Sequence, residues 1–306
     1  MLRGKVSTYK LRSVGFCDNN IGGDLAYLRT LCAALKPLKL QWYGAATFNI
    51  IANRELVRTM AESGCRALFV GLESFNPATL AAMNKHQNVL RKVRAAIAHC
   101  RDEGILVVSG LMVSPTVDDV AYIERIPEHL RASGLHVPTF VCFETPIPGT
   151  PHFAQLAAQA EGAFLPDALL RDFTGYTLVV RPKHATAEAF VAAYRKSVAE
   201  VYSPLNKLRK LADDLPRFLR RGFWLPALVD AVDVWTTNPV PASDRTLIAG
   251  SDSEPPERVP LSDADFSSEE QQRAIMEPWR VTNGKGRPLP GWLSPRLIAQ
   301  RRRRAA

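Results

Sequence analysis

The feature that most constrains the fold of this chain is a regular alternation, over its first half, of short apolar runs with longer amphipathic segments. Val, Leu and Phe dominate the apolar runs, and several runs are continuous rather than interrupted by polar residues. Such continuity is typical of strands covered on both faces. We therefore predict five buried strands, at SVGFC (13–17), LQWYGAATF (40–48), ALFVGLE (67–73), ILVVSGLMV (105–113) and TFVCFE (139–144).

The segments between these runs carry the start and stop signals of helices. Asp24 and Asn53 are N-cap candidates, and Pro77 suits the first turn of a short helix. Gly64 and Gly104 suit helix ends. Strand, helix and strand at this spacing predict parallel βαβ units with right-handed crossovers. Periodicity alone leaves open whether the sheet stays open or curls into a barrel.

Polar residues follow the strand candidates at the point where each strand ends. Barrels and open α/β sheets both place their active sites at the carboxyl edge of the strands. We therefore expect these side chains to converge at one edge of the sheet. They are Asp18 and Asn19, Thr47 and Asn49, Glu73 and Ser74, Ser109 and Ser114, and Glu144 and Thr145.

The second half of the chain has a different pattern. Helical stretches reach to about residue 234, and we expect Trp224, Leu225 and Trp235 to anchor their packing. The segment that follows is rich in Pro, Ser, Asp and Glu, a composition that cannot bury enough apolar surface to order itself. The pattern predicts an α/β core, a C-terminal helical extension and a disordered tail, with bounds 1–155, 156–235 and 236–306.

Composition narrows the classes of function. The net charge of +9 includes four arginines at 301–304, and no motif of interleaved basic and aromatic residues accompanies it. The charge therefore does not indicate nucleic-acid binding. The N-terminus lacks the apolar stretch of a signal peptide, and no apolar run approaches the roughly 20 residues that a membrane helix needs. We expect a cytoplasmic protein with neither a transmembrane segment nor a nucleic-acid partner.

The five cysteines lie far apart in the sequence, at positions 17, 32, 65, 100 and 142. No two of them have the close spacing of a zinc or iron–sulfur ligand set, so no metal ligands are predicted. Isolated thiols in a reducing compartment are ordinary structural residues. We expect Cys17 and Cys142 to be core residues rather than ligands.

Several phrases, taken in order, are more specific than their composition. They are FCDNNIGGD, WYGAATFNIIAN, SGCRALFVGLESFNPATLAAMNK, GILVVSGLMVSPTVDD and ETPIPGTPHF. This series closely resembles the radical S-adenosylmethionine (radical SAM) enzymes, especially the branch with an N-terminal cobalamin-binding domain. The resemblance covers roughly residues 12–155, and more weakly the segment up to residue 202. It implies an α/β fold built as a partial (β/α)6 TIM-like barrel, with S-adenosylmethionine bound at the carboxyl ends of the strands.

The resemblance assigns cofactor-binding roles to particular positions. Asp18 and Asn19 fall where the family binds the amino group of S-adenosylmethionine, and carboxylate and amide oxygens accept hydrogen bonds from an ammonium. Glu73 falls where the family contacts the ribose or the methionyl part. It also places Gly110, Met112 and Ser114 beside the adenine and Pro148 and Gly149 in a closing loop. Thr47, Asn49 and Ser74 are added as cofactor-binding candidates because they lie at strand ends.

Each of these assignments has a simpler alternative. Asp18 and Asn19 are also suited to cap the following helix, and Glu73 to be a solvated strand end. Gly149 is equally suited to shape the turn after Pro148 and nothing more. The sequence leaves these alternatives open.

The chain also departs from the family pattern. Family members hold a 4Fe–4S cluster on three cysteines spaced C-x-x-x-C-x-x-C after the first strand, and no such spacing occurs here. The match begins at the family's second strand, close to Met1, and Asn19 stands where the family has a second Asp. We therefore expect a chain that lacks the first βα unit, the cluster loop and the cobalamin-binding domain.

These departures set the functional expectations. Full-length relatives cleave S-adenosylmethionine at the cluster for radical chemistry, with cobalamin-dependent methylation of a small or lipid-like substrate as a candidate reaction. This chain alone is expected to be inactive. The alternative is a non-catalytic remnant that binds an adenosyl ligand, or that pairs with a partner chain carrying the missing half. An unrelated (β/α) hydrolase is disfavoured because no G-x-S-x-G or paired-His motif is present.

Overall fold

The structure is a computed structural model that describes residues 8–85, 90–159, 162–165, 168, 172–220, 222–237, 248–249, 282–283 and 287–288. Its contacts divide the chain into two compact units. Unit 1 comprises Met1–Thr145 and Thr174–Ile248, and unit 2 comprises Pro146–Phe173 and Ala249–Ala306. The boundaries at 155 and 235 that the sequence suggests stay predictions.

Unit 1 contains two parallel sheets. The first has the order β1-β2-β3-β4, formed by Ser13–Gly15, Gln41–Thr47, Cys65–Gly71 and Leu106–Val108. The second pairs β5 (Gly110–Val113) with β6 (Phe140–Phe143). A single parallel bridge between Glu73 and Leu111 links the two. The predicted parallel α/β class is confirmed, whereas the partial (β/α)6 barrel is not: the described strands form no closed barrel.

Helices connect and follow these strands. Along the chain they are α1 Leu25–Leu35, α2 Phe48–Ile51, α3 Arg54–Glu62, α4 Pro77–Ala82, α5 Leu90–Asp102, α6 Val120–Ser133, α7 Pro151–Ala157, α8 Ala187–Val201, α9 Pro204–Arg220 and α10 Trp224–Thr236. A short 3₁₀ turn, Lys36–Leu38, follows α1. None of the helices that the structure describes is long and apolar enough to cross a membrane.

The helix ends lie where the sequence signals predict them. The Asp24 carboxylate accepts hydrogen bonds from two backbone amides at the start of α1, and Asn53 does the same for α3. Pro77 occupies the first turn of α4. Gly64 and Gly104 follow α3 and α5 with φ of 102° and 78°, a left-handed conformation that glycine adopts without a steric penalty. These local predictions are confirmed.

One predicted strand is divided in the structure. The run at 105–113 forms β4 and β5 in separate sheets, with Ser109 between them. The Ser109 hydroxyl donates a hydrogen bond of 2.8 Å to the carbonyl of Val70, and its own carbonyl accepts one of 2.8 Å from the amide of Thr139. Because these bonds turn Ser109 towards β3 on one side and the approach to β6 on the other, the chain changes sheets at this residue.

Helices α9 and α10 pack against β4. Phe218 of α9 and Ala227 of α10 form an apolar cluster with Leu106. The predicted anchors Trp224 and Trp235 are 71% and 53% exposed, so that expectation is wrong. The reason is that α10 turns its smaller residues inward, and its tryptophans lie on the opposite face. The side chain of the third predicted anchor, Leu225, lies outside the described residues.

Unit 2 contains α7 and a small aromatic cluster, in which Phe153 lies 5.2 Å from Phe164 and 5.9 Å from Phe173 between ring centroids. It also contains a short antiparallel pair, β7 (Thr282–Asn283) and β8 (Arg287–Pro288). The pairing means that the segment predicted as a disordered tail includes some strand structure. Most of that prediction concerns positions outside the described residues.

Candidate functional site

The carboxyl ends of β3, β5 and β6 are joined side by side. The amide of Met112 donates a 2.7 Å hydrogen bond to the carbonyl of Glu73, and the amide of Glu144 donates one of 2.8 Å to the carbonyl of Val113. The polar strand-end residues Glu73 and Ser114 therefore lie at one edge, as predicted. This edge also includes Glu144, whose carboxylate accepts a hydrogen bond from the Ser114 hydroxyl.

Glu73 has an unusual backbone conformation for a non-glycine residue, with φ of 69°. A Cβ on Gly71 would lie 2.6 Å from the Glu73 Oε1 atom, so the glycine leaves room for this carboxylate to fold back over the end of β3. The ammonium of Lys85 lies 2.9 Å from the same oxygen, and the Glu73 side chain is only 17% exposed. A ligand hydroxyl that binds Glu73 therefore shares the carboxylate with Lys85.

The loop after β1 is held against β2 by its backbone and by Asn20. The amide of Ile21 donates to the carbonyl of Ala45 at 2.8 Å. The Asn20 side-chain oxygen accepts from the amides of Gly22 and Thr47, at 3.2 and 3.3 Å. Asn20 was not among the predicted site residues, yet it fixes the loop that carries two of them.

Asp18 and Asn19 are exposed on this loop and make no hydrogen bond or ion pair with another described residue. Asp24, not either of these residues, caps α1, so the alternative in which they cap that helix is wrong. Thr47 and Asn49 lie at the neighbouring strand end, where the Thr47 hydroxyl donates to the Asn49 side-chain oxygen at 2.5 Å. Asp18 and Asn19 thus leave their polar atoms open for a ligand.

A cavity of about 790 Å³ begins at this loop and extends along the face of the first sheet that carries Tyr43 and Phe69. The strand register aligns Ala45, Phe69 and Val108 across β2, β3 and β4. All three line the cavity, together with Asp18 and Asn19 at the carboxyl end of the strands and Ser13, Gln41 and Arg66 near their amino ends. A cavity of this size and apolar lining with a few polar groups is typical of a small-molecule site.

In each of the two sheets of unit 1, an aromatic ring lies over a glycine of the neighbouring strand. A Cβ on Gly15 would lie 2.5 Å from the Tyr43 ring, and one on Gly110 would lie 2.1 Å from the Phe140 ring. The Phe140 ring stacks on Phe69, with 6.0 Å between centroids. Gly110, a predicted site residue, therefore makes room for an aromatic ring, which is a packing role that the sequence did not indicate.

Ser74 and Ser114 are fully buried. The Ser74 hydroxyl shares a 2.8 Å hydrogen bond with the Tyr122 hydroxyl. The Ser114 hydroxyl bonds to Thr116 and to Glu144. Both residues are close to the site, but their hydroxyls already hold neighbouring loops together, and their predicted contact with a cofactor stays a prediction.

Asp118 is the residue that joins these loops, and the sequence analysis missed it. Its carboxylate accepts hydrogen bonds from the Ser114 amide at 2.7 Å, the Thr79 hydroxyl at 2.5 Å and the Asn76 side-chain amide at 2.8 Å. Burial raises the pKa of Asp118, although all three donors favour its ionised form. Its sequence neighbourhood, two adjacent acids after a Ser-Pro pair, resembles a simple helix cap and gives no sign of this role.

Pro148 and Gly149 belong to unit 2, in the loop that precedes α7. Gly149 has φ of 85°, and a Cβ there would meet no atom within 4 Å. The turn after Pro148 therefore requires the conformational freedom of glycine. Whether the loop also contacts a cofactor stays a prediction.

The curated relatives of this chain are methyltransferases. Bacteriochlorophyllide d C-12(1)-methyltransferase of Chlorobaculum tepidum is 25% identical over 187 residues, which cover 61% of this chain and 40% of that protein. Hopanoid C-2 methylase of Rhodopseudomonas palustris is 25% identical over 208 residues, which cover 65% of this chain and 37% of that protein. The chain thus spans about two fifths of the length of the curated relatives it matches. No protein-family model matches it.

Solved structures show the same fold. The radical S-adenosylmethionine methyltransferase TsrM from Kitasatospora setae, with cobalamin and a [4Fe-4S] cluster bound, superimposes with a TM-score of 0.50 at 13% identity, covering 76% of this chain and 53% of TsrM. A second TsrM structure, with tryptophan substrate and a SAM analogue bound, also has a TM-score of 0.50. The superposition covers 67% of this chain and 46% of TsrM.

The chain is similar in sequence to these methyltransferases and in fold to a radical SAM methyltransferase. The resemblance noted in the sequence is thereby confirmed. The TsrM structures hold cobalamin and a [4Fe-4S] cluster in one case and a SAM analogue in the other.

The residues present do not fit a radical SAM cluster. The described residues contain no group of three His, Cys, Asp or Glu side chains that could hold a metal. Cys17 is exposed and lines the cavity, so the expectation that it is a core residue is wrong. Cys142 is half-buried, and burial raises its pKa to about 12, which keeps it a thiol rather than a metal-binding thiolate.

Proposed function

We propose that this chain binds S-adenosylmethionine at the carboxyl edge of its first sheet and along the face that carries Tyr43 and Phe69. In this role it would be the cofactor-binding part of a radical SAM methyltransferase. The observation that carries the proposal is the cavity of about 790 Å³, which is apolar along the strands and open to Asp18 and Asn19 at one end. This arrangement suits a ligand with a polar, cationic end and an apolar, aromatic end.

The chemistry of S-adenosylmethionine suits these positions. Its ammonium is a hydrogen-bond donor with a positive charge, and the Asp18 carboxylate is an exposed acceptor without a partner in the described chain. Its adenine is a flat aromatic ring, and Phe69 offers an exposed ring on the cavity wall. Its ribose hydroxyls are donors for the Glu73 carboxylate, which accepts vicinal hydroxyls as the acid of dinucleotide-binding folds does.

The residues of this chain do not supply the ligands of a 4Fe–4S cluster. None of the 306 residues lies in a C-x-x-x-C-x-x-C motif. We propose that the cluster ligands come from outside these residues, on a preceding segment or on a partner chain, and that this chain alone does not cleave S-adenosylmethionine. We assign no residue of this chain to cobalamin.

Within the assembled enzyme, the proposed reaction is cobalamin-dependent methylation of a small or lipid-like substrate. The support is that relatives bear the names of methyltransferases acting on a bacteriochlorophyllide and a hopanoid. The absence of a cluster motif favours one second candidate, a non-catalytic chain that binds an adenosyl ligand. The two differ in whether a cluster-bearing partner restores turnover.

Calorimetry with S-adenosylmethionine, in the absence of iron, tests the binding proposal. Removal of one charge from the ammonium-binding position by Asp18→Asn is expected to weaken binding about tenfold, as for the loss of a charge-assisted hydrogen bond. Asp119→Asn is the matched control, because Asp119 is an exposed acid at a helix N-cap where Asn serves equally well. No binding by the unaltered chain, or equal loss in both variants, contradicts the proposal.

Anaerobic reconstitution with iron and sulfide tests the statement about the cluster. We expect no stoichiometric 4Fe–4S absorbance and no 5′-deoxyadenosine from the chain alone. Appearance of both signals would show that these 306 residues are sufficient. Because this readout is independent of the calorimetry, the two parts of the proposal can fail separately.

A further inference from the structure

Helix α10 exposes its apolar residues. Trp224, Leu228, Val232 and Trp235 are 71%, 61%, 53% and 53% exposed, and Val229 is 46% exposed. At 100° per residue these five side chains lie within one arc of the helix surface. We call them the α10 face. A contiguous exposed patch of this kind, with two tryptophans, is rare on a surface that meets only water.

The charges of α10 lie on the opposite side of the helix. Asp230 is fully buried, and its carboxylate contacts the Lys210 ammonium of α9. Asp233 is half-buried. Thus α10 has the reverse of the polarity expected for a helix on the surface of a globular protein, where charged residues face water. The apolar side is the side without a covering element among the described residues of unit 1.

One cation lies beside the C-terminal end of the α10 face, and another precedes the helix in the sequence. The Lys207 ammonium is 5.8 Å from the centre of the Trp235 ring, at the C-terminal end of α10. Arg220, the last residue of α9, is exposed and precedes Trp224 by four residues in the sequence. Tryptophans beside a row of aliphatic side chains are features of helices that lie in the headgroup region of a bilayer, and here the neighbouring helix α9 supplies the basic residue. The net charge of +9 adds long-range attraction to an anionic surface.

We propose that the α10 face docks on the surface of an anionic lipid membrane. With 13 residues, α10 is about 20 Å long, shorter than the roughly 30 Å hydrocarbon core, so it lies in the interface instead of spanning it. Val229 belongs to the α10 face and also lines the cavity beside Pro226. Docking would therefore bring one wall of the cavity to the membrane surface.

Vesicle flotation with the full chain tests the proposal. We expect the chain to float with phosphatidylcholine vesicles that contain about 30 mol% phosphatidylglycerol, and much less with phosphatidylcholine alone. Raising the salt to about 0.5 M is expected to reduce flotation, because exposed charges are then screened within a few ångströms. The Trp224 and Trp235 fluorescence is expected to shift to shorter wavelength on binding.

The double variant Leu228→Glu with Val232→Glu identifies the surface. We expect at least a tenfold loss of vesicle binding. The matched control is Leu25→Glu with Tyr27→Glu, two exposed apolar residues of α1 that receive the same change of charge. Equal loss in both would show that net charge alone governs binding and would overturn the assignment to α10.

Two other results would also overturn the proposal. One is absence of flotation of the unaltered chain at low salt, which needs no variant to interpret. The other is a dimer in light scattering that the α10 double variant dissociates while vesicle binding stays unchanged, because a second copy would then cover the face. A large drop in the thermal midpoint of that variant would indicate a covering segment within the chain and would count against a membrane as well.

Discussion

At the scale of single residues, backbone sterics place several key positions. Gly64 follows the end of α3 and has φ of 102°. A Cβ on Gly64 would lie only 1.9 Å from the carbonyl oxygen of Leu40. The Gly64 carbonyl accepts a 2.9 Å hydrogen bond from Trp42 at the start of β2. The close approach of α3's end to β2 therefore requires a residue without a side chain.

Gly64→Ala is expected to lower the free energy of unfolding by about 2–4 kcal/mol, because the methyl group must displace backbone as well as occupy a left-handed conformation. Gly222 has φ of 74°, and a Cβ there would meet no atom within 4 Å, so Gly222→Ala isolates the conformational part, about 1 kcal/mol. Urea unfolding of the two variants measures the difference. Equal effects would contradict the steric explanation.

At the scale of elements, the site depends on one buried carboxylate. Asp118 holds the loop after β3, through Asn76 and Thr79, against the loop after β5, through Ser114. These loops carry the end of the sheet at which Glu73 and Glu144 meet. The relative position of the two strand ends therefore follows from a side chain in neither strand.

Asp118→Asn is expected to destabilise the chain by about 2 kcal/mol, although the two side chains have the same shape. The amide NH₂ of the variant would face the donating Ser114 amide, leaving a buried donor unsatisfied. Asp119→Asn, one residue along, is expected to change stability by less than about 0.5 kcal/mol, since Asn caps a helix as well as Asp. Denaturant unfolding compares the pair, and a similar loss in both would refute the role of Asp118.

At the scale of the whole unit, a buried charge cluster joins α9 and α10 to the helices around the sheet. The Asp214 carboxylate lies 2.6 Å from the Arg101 guanidinium of α5 and 2.7 Å from the Lys210 ammonium, which also contacts Asp230. Burial raises the pKa of Asp230 to about 6, with Asp214 adding to the effect and Lys210 opposing it. A cluster of this kind holds position at the cost of removing charges from water.

This shift gives stability a definite pH dependence. The folded pKa of Asp230 lies above the value of about 3.9 in an unfolded chain, so the folded state binds the proton more tightly. The contribution is present below about pH 4 and is lost as the pH rises through about 6, by up to about 3 kcal/mol. Burial also raises the pKa of Asp118 and Asp233, which act in the same direction.

Asp230→Asn is therefore expected to reduce, without abolishing, the fall in unfolding free energy between about pH 4 and about pH 6, the range between the unfolded and folded pKa values of this carboxyl. Chemical unfolding at several pH values measures the slope. Asp213→Asn is the control for general charge removal, because Asp213 lies partly exposed and its pKa is lowered, mainly through its hydrogen bond and ion pair with His136, despite some burial. An unchanged slope for Asp230→Asn would show that this carboxylate does not titrate in the window.

Much of the candidate site was predictable because its signals are local. Asp18 and Asn19 follow an apolar run, and a strand end fixes their place at the carboxyl edge within a residue or two. The sequence did not predict Asn20, Lys85 and Asp118 as site residues, because each binds a partner distant in the sequence or accepts from backbone amides. Nothing in their own neighbourhood distinguishes them from surface residues.

The sequence by itself determined the alternation of strands and helices along the chain, the helix ends at Asp24, Asn53 and Gly64, and the resemblance to radical SAM enzymes. Only the tertiary structure decided that the run at 105–113 divides at Ser109 and that α10 presents Trp224 and Trp235 to the outside. The physical reason is the distance along the sequence over which each signal acts. Caps, turns and periodicity act over a few residues, whereas the choice of which face is covered depends on elements that meet only after folding.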